Sequence, residues 1–335
     1  MGRKYSKVVG MVLQDTSLQR SWVVTADCAG LRLDAFLRAP LPFLSRRELE
    51  EAMREQYFSL NGRRARKGDR VMEGDVVQFN GPVEWLSPTP IPNPRLAVPV
   101  IYEDAQLLAL NKSAGMDCHG FSGRDDDSLA NFLLARWPEL SGIGKSRWEP
   151  GLVHRLDRET SGVVLVAKTQ AAFADLCRQF RRRAVKKKYL ALVWGNVDEE
   201  GTISFPLAHD SKDERKMQAI VVPGHRAPKD KVWPALTHYR KVCEQRGLSF
   251  LELEMETGVT HQLRAHLAAI DHPIVGDALY GAAGRETLGL RRHFLHAKEL
   301  RMTHPVSRRS VKLEAPLPDE LAAVLARLKI EHRIG

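Results

Sequence analysis

The amino-acid sequence predicts an α+β protein of two domains, a small one of helices and β-ribbon and a larger one built on a sheet flanked by helices. Three observations carry that prediction. Six prolines fall within residues 81–99 and divide the chain, because proline at that density holds the backbone extended and stops both helix and central strand. Ahead of them, helical spacing gives way to turns marked by Asn61-Gly62 and Gly74-Asp75. Behind them, apolar runs of strand length alternate with stretches of helical spacing.

Composition narrows the class of protein. At 335 residues the chain can fill a sizeable core in its larger domain. Lys and Arg outnumber Asp and Glu by 51 to 41, a net charge of +10. That excess favours a polyanionic partner, although a basic, highly soluble enzyme would show it too. Cys28, Cys118, Cys177 and Cys243 form no close pair, as suits a reducing compartment. The apolar stretch at residues 8–13 is too short for a signal-peptide core or a membrane span, so a cytoplasmic protein without membrane attachment is expected.

Residues 1–20 are basic and aperiodic and read as an arm. In the first domain, residues 21–80, Leu31, Leu33, Phe36 and Leu37 share a helical face. Ser45 with Glu48 three residues on is a capping box, and Leu44 and Leu49 stand as a hydrophobic staple, so a helix over 46–56 should bury Leu49 and Met53. The hairpin turn at Asn61-Gly62 leads into Arg63, Arg64, Arg66 and Lys67. Of these, Arg63, Arg64 and Lys67 are candidates for a phosphate backbone, and a merely solvated turn would look the same. Gly74-Asp75 then precedes a strand at Val76, Val77 and Phe79, and residues 81–97 form the linker.

In the second domain, residues 98–330, strands are expected at 98–102 and 107–110 and a helix at 128–137. A loop over 150–162 enters the buried strand Val163 to Ala167. Phe173, Leu176, Cys177 and Phe180 then mark one face of a helix over 170–182. Six cations within residues 181–188 precede the strand 189–194, in which Tyr189 should face away from Leu190 and Leu192. Residues 207–233 are polar and read as a long segment without regular structure. An antiparallel pair follows at 235–242 and 248–256, where Leu251, Leu253 and Met255 alternate with glutamates. Thr260 is placed to cap a helix that buries Leu263 and Leu267, with Arg264 in its first turn. A strand at 311–313 and a helix at 319–328 close the domain.

The chemistry centres on the 150–162 loop. Asp157 is preceded by His154, a cation if protonated, and Arg155, and followed by Arg158, Thr160 and Ser161. Donors and positive charge favour an ionised carboxylate, which on a short loop can be a nucleophile or a general base. Taken alone, such an aspartate is more often the counter-ion of Arg155 or Arg158. Tyr189 behind the basic run, including Lys187 and Lys188, adds an aromatic beside cations. Together these fit an enzyme that acts on one base of an RNA, with Tyr189 stacking on the base.

The motifs then carry a resemblance. His154-Arg155-Leu156-Asp157 with Thr160-Ser161-Gly162, Lys187-x-Tyr189-x-Ala191-x-Val193-x-Gly195, and Thr260-His261-Gln262-Leu263-Arg264 with Pro273-x-x-Gly276-Asp277-x-x-Tyr280-Gly281 resemble the successive motifs of the RluA family of pseudouridine synthases. Asn111-Lys112-x-Ala114-Gly115 resembles its first motif, and the similarity runs over residues 98–318. Residues 31–79 resemble the small RNA-binding domain first described in small-subunit ribosomal protein four, with Gln56 and Tyr57 where that family has a glycine.

The resemblance implies a mixed, mostly antiparallel sheet and the isomerisation of selected uridines in structured RNA, without cofactor or metal. It implies that Asp157 initiates the reaction and Tyr189 packs on the uracil. Arg264 would pair with Asp157, and Arg155 would fill the gap left by a flipped nucleotide. His154, Lys187 and Lys188 would meet the RNA, ribosomal rather than transfer RNA, and the protein would act as a monomer. Two departures stand out: Val259 where the family has arginine, and Ser113 where it has proline. Two other classes remain open to the sequence. A catalytically silent RNA-binding protein of this fold would be expected to have lost Asp157, Tyr189 or Arg264, and a metal hydrolase would want further ligands near Asp157 than His154 and Glu159.

Overall fold

The computed structural model describes residues 20–41, 44, 46–86, 90–120, 125–146, 148–221, 231–281 and 285–330. The chain separates into two compact units, one running to Ile91 and including Gly120–Asp126, the other Pro92–His119 and Asp127–Gly335.

The first unit is a four-stranded antiparallel sheet of β1 (Ser21–Val23), β2 (Phe58–Leu60), β3 (Arg63–Arg64) and β4 (Val76–Phe79), in the order β1-β4-β2-β3, with helices α1 (Leu33–Leu37) and α2 (Arg46–Arg54). Its core takes in Leu33, Leu37, Leu49, Met53, Phe58 and Phe79. The residues expected to face inward from both helices do so. The β2–β3 turn has Asn61 at φ 51° and Gly62 at φ 78°, the left-handed pair that a two-residue hairpin demands. The Asn61 side chain donates to Asp75 Oδ1 at 2.7 Å and accepts from the Val76 amide, so this hairpin is tied to the Gly74-Asp75 turn.

Gln56 sits at φ 63°, just beyond the end of α2. The backbone conformation that usually calls for glycine has been kept, and a side chain has been carried into it. One expectation changes here. Trp85 and Leu86, read as linker, are buried in this unit, where the Trp85 ring meets Tyr57 edge-on at 5.4 Å. The capping box at Ser45 and the arm over residues 1–19 lie outside the described residues.

The second unit is built on a nine-stranded sheet. In chain order its elements begin with β5 (Val100–Glu103), β6 (Leu107–Lys112), α3 (Leu129–Arg136), β7 (Ser161–Ala167), α4 (Gln170–Arg181), β8 (Lys186–Trp194) and β9 (Glu200–Ile203). A separate hairpin follows, β10 (Leu207–His209) with β11 (Met217–Ala219). The chain then forms β12 (Thr237–Gln245), β13 (Leu248–Met255), α5 (Gln262–Ala269), β14 (Leu295–Thr303), β15 (Ser310–Glu314) and α6 (Asp319–Leu328). The sheet order is β5-β6-β7-β14-β8-β13-β12-β9, with β15 on β14, and among the described residues β7–β14 is its one parallel pair. The sheet is therefore mixed and mostly antiparallel, as expected.

The unbroken apolar runs of β6 and β7 follow from burial on both faces. Leu107, Ala109, Val163 and Leu165 face α4, while Leu108, Leu110, Val164 and Val166 join the core formed with α3 and α6. Truncating one of these leucines to alanine should cost about 2–5 kcal/mol. The segment read as structureless over 207–233 contains the β10–β11 hairpin, and Trp233 pairs back onto Leu207. That pairing gives Leu207 and Met217 a buried apolar cluster with Ala235 and Ala265, which the polar residues between them conceal in sequence. Residues 222–230 of the same segment lie outside the description.

Candidate active site

Asp157 lies on the loop into β7, and the loop is fixed from three directions. From the end of β6, the buried Lys112 ammonium donates to the carbonyls of Ser113, Met116 and Arg158 at 2.7–3.1 Å, and burial pulls it down to about 8. Leading into β14, Arg292 donates to the Glu159 carbonyl and to Ser161 Oγ, and is held in turn by Glu320 at 2.8 Å. His293 Nε2 lies 2.9 Å from Thr160 Oγ1 and His296 Nδ1 3.0 Å from Ser161 Oγ. At Gly162, with φ 124°, a Cβ would meet the Ala297 carbonyl oxygen at 2.2 Å, so β7 can lie against β14 there only with glycine.

The third direction is α5. Arg264 Nη1 donates to Asp157 Oδ2 at 3.1 Å, across 107 residues of sequence. The same guanidinium makes a two-pronged pair with Asp277, at 2.7 and 2.9 Å. Burial opposes the charge on Arg264, and the two carboxylates more than offset it, so the guanidinium stays above its ordinary value. Asp277 is fully buried at its side chain and Asp157 is not. One carboxylate is thus the structural partner, worth about 3–5 kcal/mol if its cation were removed, and the other is presented to solvent.

Arg158 turns away to Asp117 at 2.6 Å and to Asp127 at 3.7 Å, and Arg155 is exposed and makes no ion pair among the described residues. Neither neighbour is the counter-ion of Asp157.

An open cleft of about 460 Å³ is lined by Arg155, Arg181, Arg183, Lys187, Tyr189 and Val259, among others. Tyr189 and Lys187 share the face of β8 that turns to this cleft, both buried. Burial and then the Asp157 charge push the Tyr189 hydroxyl above its ordinary value. Lys187 Nζ donates to the Thr257 carbonyl at 2.6 Å, and burial pulls it down to about 8.

Two of the residues expected to meet RNA, Lys188 and His154, have partners inside the protein, and His154 also lines the cleft. Lys188, one residue on, points through the opposite face and pairs with Glu252 at 3.1 Å, because side chains alternate along a strand. His154 is not a cation: its Nε2 accepts from the Leu165 amide at 2.9 Å, its ring stacks on Phe180, and burial drives it down to about 3. In the first unit, Arg63 pairs with Asp69 at 2.9 Å and Lys67 with Glu50 at 2.9 Å. Arg64 donates to the Arg54 carbonyl at 3.2 Å.

Thr260, expected to cap α5, is exposed and does not. The N-cap is His261 at φ 54°, and the loop is closed by Gln262, whose Oε1 accepts from Thr257 Oγ1 and the Val259 amide. The sequence reading assigned no role to Asp277, Lys112, Arg292 or His261. A signal existed for Asp277, an aspartate directly after the left-handed Gly276, with nothing in the sequence to say that it meets Arg264.

Among the described residues no helix is long and apolar enough to cross a membrane, and no three His, Cys, Asp or Glu side chains converge as metal ligands would.

A carboxylate oriented by a buried arginine, beside a tyrosine-floored cleft rimmed with cations, is suited to chemistry on a base of a polyanion. Residues 106–269 match the family model described as RNA pseudouridylate synthase. The chain is 40% identical to a protein of Chloroflexus aurantiacus described as an uncharacterized RNA pseudouridine synthase, over 93% of this chain and 94% of that one. It is 36% identical to the ribosomal large subunit pseudouridine synthase D of Xanthomonas campestris, covering 94% of each. Among solved structures, human RNA pseudouridylate synthase domain containing 1 superposes with a TM-score of 0.53 at 28% identity, over 70% of this chain and 96% of that one. The chain belongs to the RluA family of RNA pseudouridine synthases. Its reaction is the isomerisation of uridine in RNA to pseudouridine.

Proposed function

We propose that the protein modifies uridines of large-subunit ribosomal RNA in the cytoplasm, as a monomer, with Asp157 starting the reaction on a flipped-out nucleotide. The choice of RNA rests on relatives that carry a named substrate, several of which are ribosomal large subunit enzymes. Arg264 orients Asp157. Tyr189 packs on the uracil, and its raised hydroxyl keeps its proton at neutral pH. Arg155, exposed at the cleft and without an ion pair among the described residues, fills the space the nucleotide leaves, which offsets part of the few kcal/mol that flipping costs. Lys187 and the cleft arginines hold phosphates, and the first unit adds a second basic surface through Arg63, Arg64 and Lys67.

The observation that carries this reading is the 3.1 Å pair between Asp157 and Arg264 next to a tyrosine-lined cleft. The test is Asp157→Asn, assayed by single-turnover pseudouridine formation on a large-subunit ribosomal RNA transcript. The rate should fall by about a thousandfold or more with the fold intact. A rate near that of the unmodified protein would remove Asp157 from the chemistry.

A further inference from the structure

His261 stands beside Asp157 and has no part in the reading above. Its Nε2 is 3.7 Å from Asp157 Oδ2, on the oxygen that Arg264 already holds. Its Nδ1 is 3.1 Å from the Tyr280 hydroxyl, and that hydroxyl accepts from the Met217 amide of β11 at 2.7 Å.

The proton positions follow from these partners. Tyr280 has one hydroxyl proton. With its oxygen receiving the Met217 N–H, the hydroxyl proton is free for His261 Nδ1, the ring nitrogen 3.1 Å away, and we assign it to that pairing. Nδ1 is then an acceptor, and the ring carries its proton on Nε2. The other end of the ring agrees: a bare Nε2 lone pair facing a carboxylate oxygen would be repelled, and an N–H is attracted. The groups around the ring are Asp157 and Arg155 from the β7 loop, Arg264 from α5, and Asp277 and Tyr280 from the loop after it. Burial pushes the imidazole below its ordinary value, with Asp157 pulling the other way. The neutral form follows.

We infer that His261 is a positioning residue for Asp157: fixed in one tautomer by Tyr280, it directs Nε2–H at Oδ2, so that Oδ2 is faced by two donors and Oδ1 is left for the substrate. The backbone supports a specified placement. His261 is a non-glycine residue at φ 54°, a conformation that costs of order 1 kcal/mol and persists where the surroundings impose it. The same chain of contacts gives the β10–β11 hairpin a line to the carboxylate, through the Met217 amide.

This inference rests on Asp157 being the reacting group, and the experiment separates the two. Glutamine can place an amide N–H where Nε2–H stands. Asparagine reaches only the Nδ1 position, yet it tolerates the left-handed backbone better. In single-turnover assays on a large-subunit ribosomal RNA transcript, His261→Gln should keep the rate at saturating RNA within about threefold. His261→Asn should lower it by about tenfold or more, with the concentration for half-saturation little changed and thermal stability no worse. Equal rates for the two variants, a faster asparagine variant, or a change confined to half-saturation would overturn the assignment. Asp157→Asn is run alongside: if it stays active, the reading of the site has failed, and if it is inactive while the glutamine and asparagine variants do not separate, only the role of His261 has.

Discussion

Two basic regions of this molecule are built in opposite ways. In the first unit, Arg63 and Lys67 each face a carboxylate and Arg64 a helix-end carbonyl, so these hairpin cations hold the unit's own turns and helix end together. At the cleft of the second unit, Arg155, Arg181 and Arg183 are exposed and make no ion pair or side-chain hydrogen bond among the described residues. Equal density of positive charge along the sequence therefore hides unequal availability. A phosphate that approaches Arg63 or Lys67 must compete with Asp69 or Glu50, while one that approaches Arg155, Arg181 or Arg183 meets a cation with no such partner among the described residues.

The largest expected effect tests that contrast directly. Arg155→Ala, Arg181→Ala and Arg183→Ala combined should weaken RNA binding by about a hundredfold at moderate salt and lower the slope of log affinity against log salt by about 2–3. Arg63→Ala with Lys67→Ala should move both far less. Filter binding across a salt series would show it, and equal losses from the two regions would break the comparison.

A second contrast is in acid stability. All twelve histidines lie beyond residue 100, and two of them in the second unit are held neutral: the half-buried His154, stacked on Phe180, at about 3, and the buried His293 at about 4, both pushed down by loss of solvent. These values lie below the free imidazole value of 6.5, so the unfolded chain takes up protons that the folded one refuses. The resulting stabilisation is complete above about pH 6.5 and is lost as pH falls toward 4. It declines by about 1.4 kcal/mol per pH unit for each ring. Pulse proteolysis in urea at pH 7 and 5.5, with fragments assigned by mass, should show the second unit losing stability over this range and the first unit holding. A parallel decline of the two would refute the histidine origin.

The smallest effect sharpens the first unit alone. Gln56→Gly removes a side chain from a left-handed position and should raise that unit's stability by about 0.5–1 kcal/mol, read as a shift of its urea midpoint. No gain would mean that Gln56 makes up its backbone cost elsewhere.

How much of this was visible in the sequence differs by element. α6 was bounded to the residue, and β7 was evident, because each carries its own pattern: inward leucines and valine at helical spacing in one, an unbroken valine-rich apolar run in the other. β14 left no such mark. Lys298, Glu299 and Arg301 give it a helix-like mixture of charges, and it becomes a strand because β7 and β8 supply partners on either side. β9 has a similar history on β12. At the site, the Asp157–Arg264 pair followed from the family pattern. The role of Asp277 did not, because a buried ion pair is a property of three-dimensional packing, and the aspartate stands thirteen residues from its arginine on a separate turn. The period-2 alternation that should have separated Lys187 from Lys188 was present in the sequence but was obscured by the run of like charges.

The place of β14 in the sheet bears on the order in which the molecule becomes competent. Asp157 and Tyr189 are both synthesised well before Arg292, His293 and Glu320, the groups that hold the Asp157 loop from the far side. At ordinary translation speeds the interval is on the order of ten seconds. During that time the nascent chain carries its carboxylate on a loop with no β14 to rest on, and β7 and β8 have no strand between them. A chain on the ribosome therefore lacks the far-side supports of the Asp157 loop until β14 and α6 have emerged.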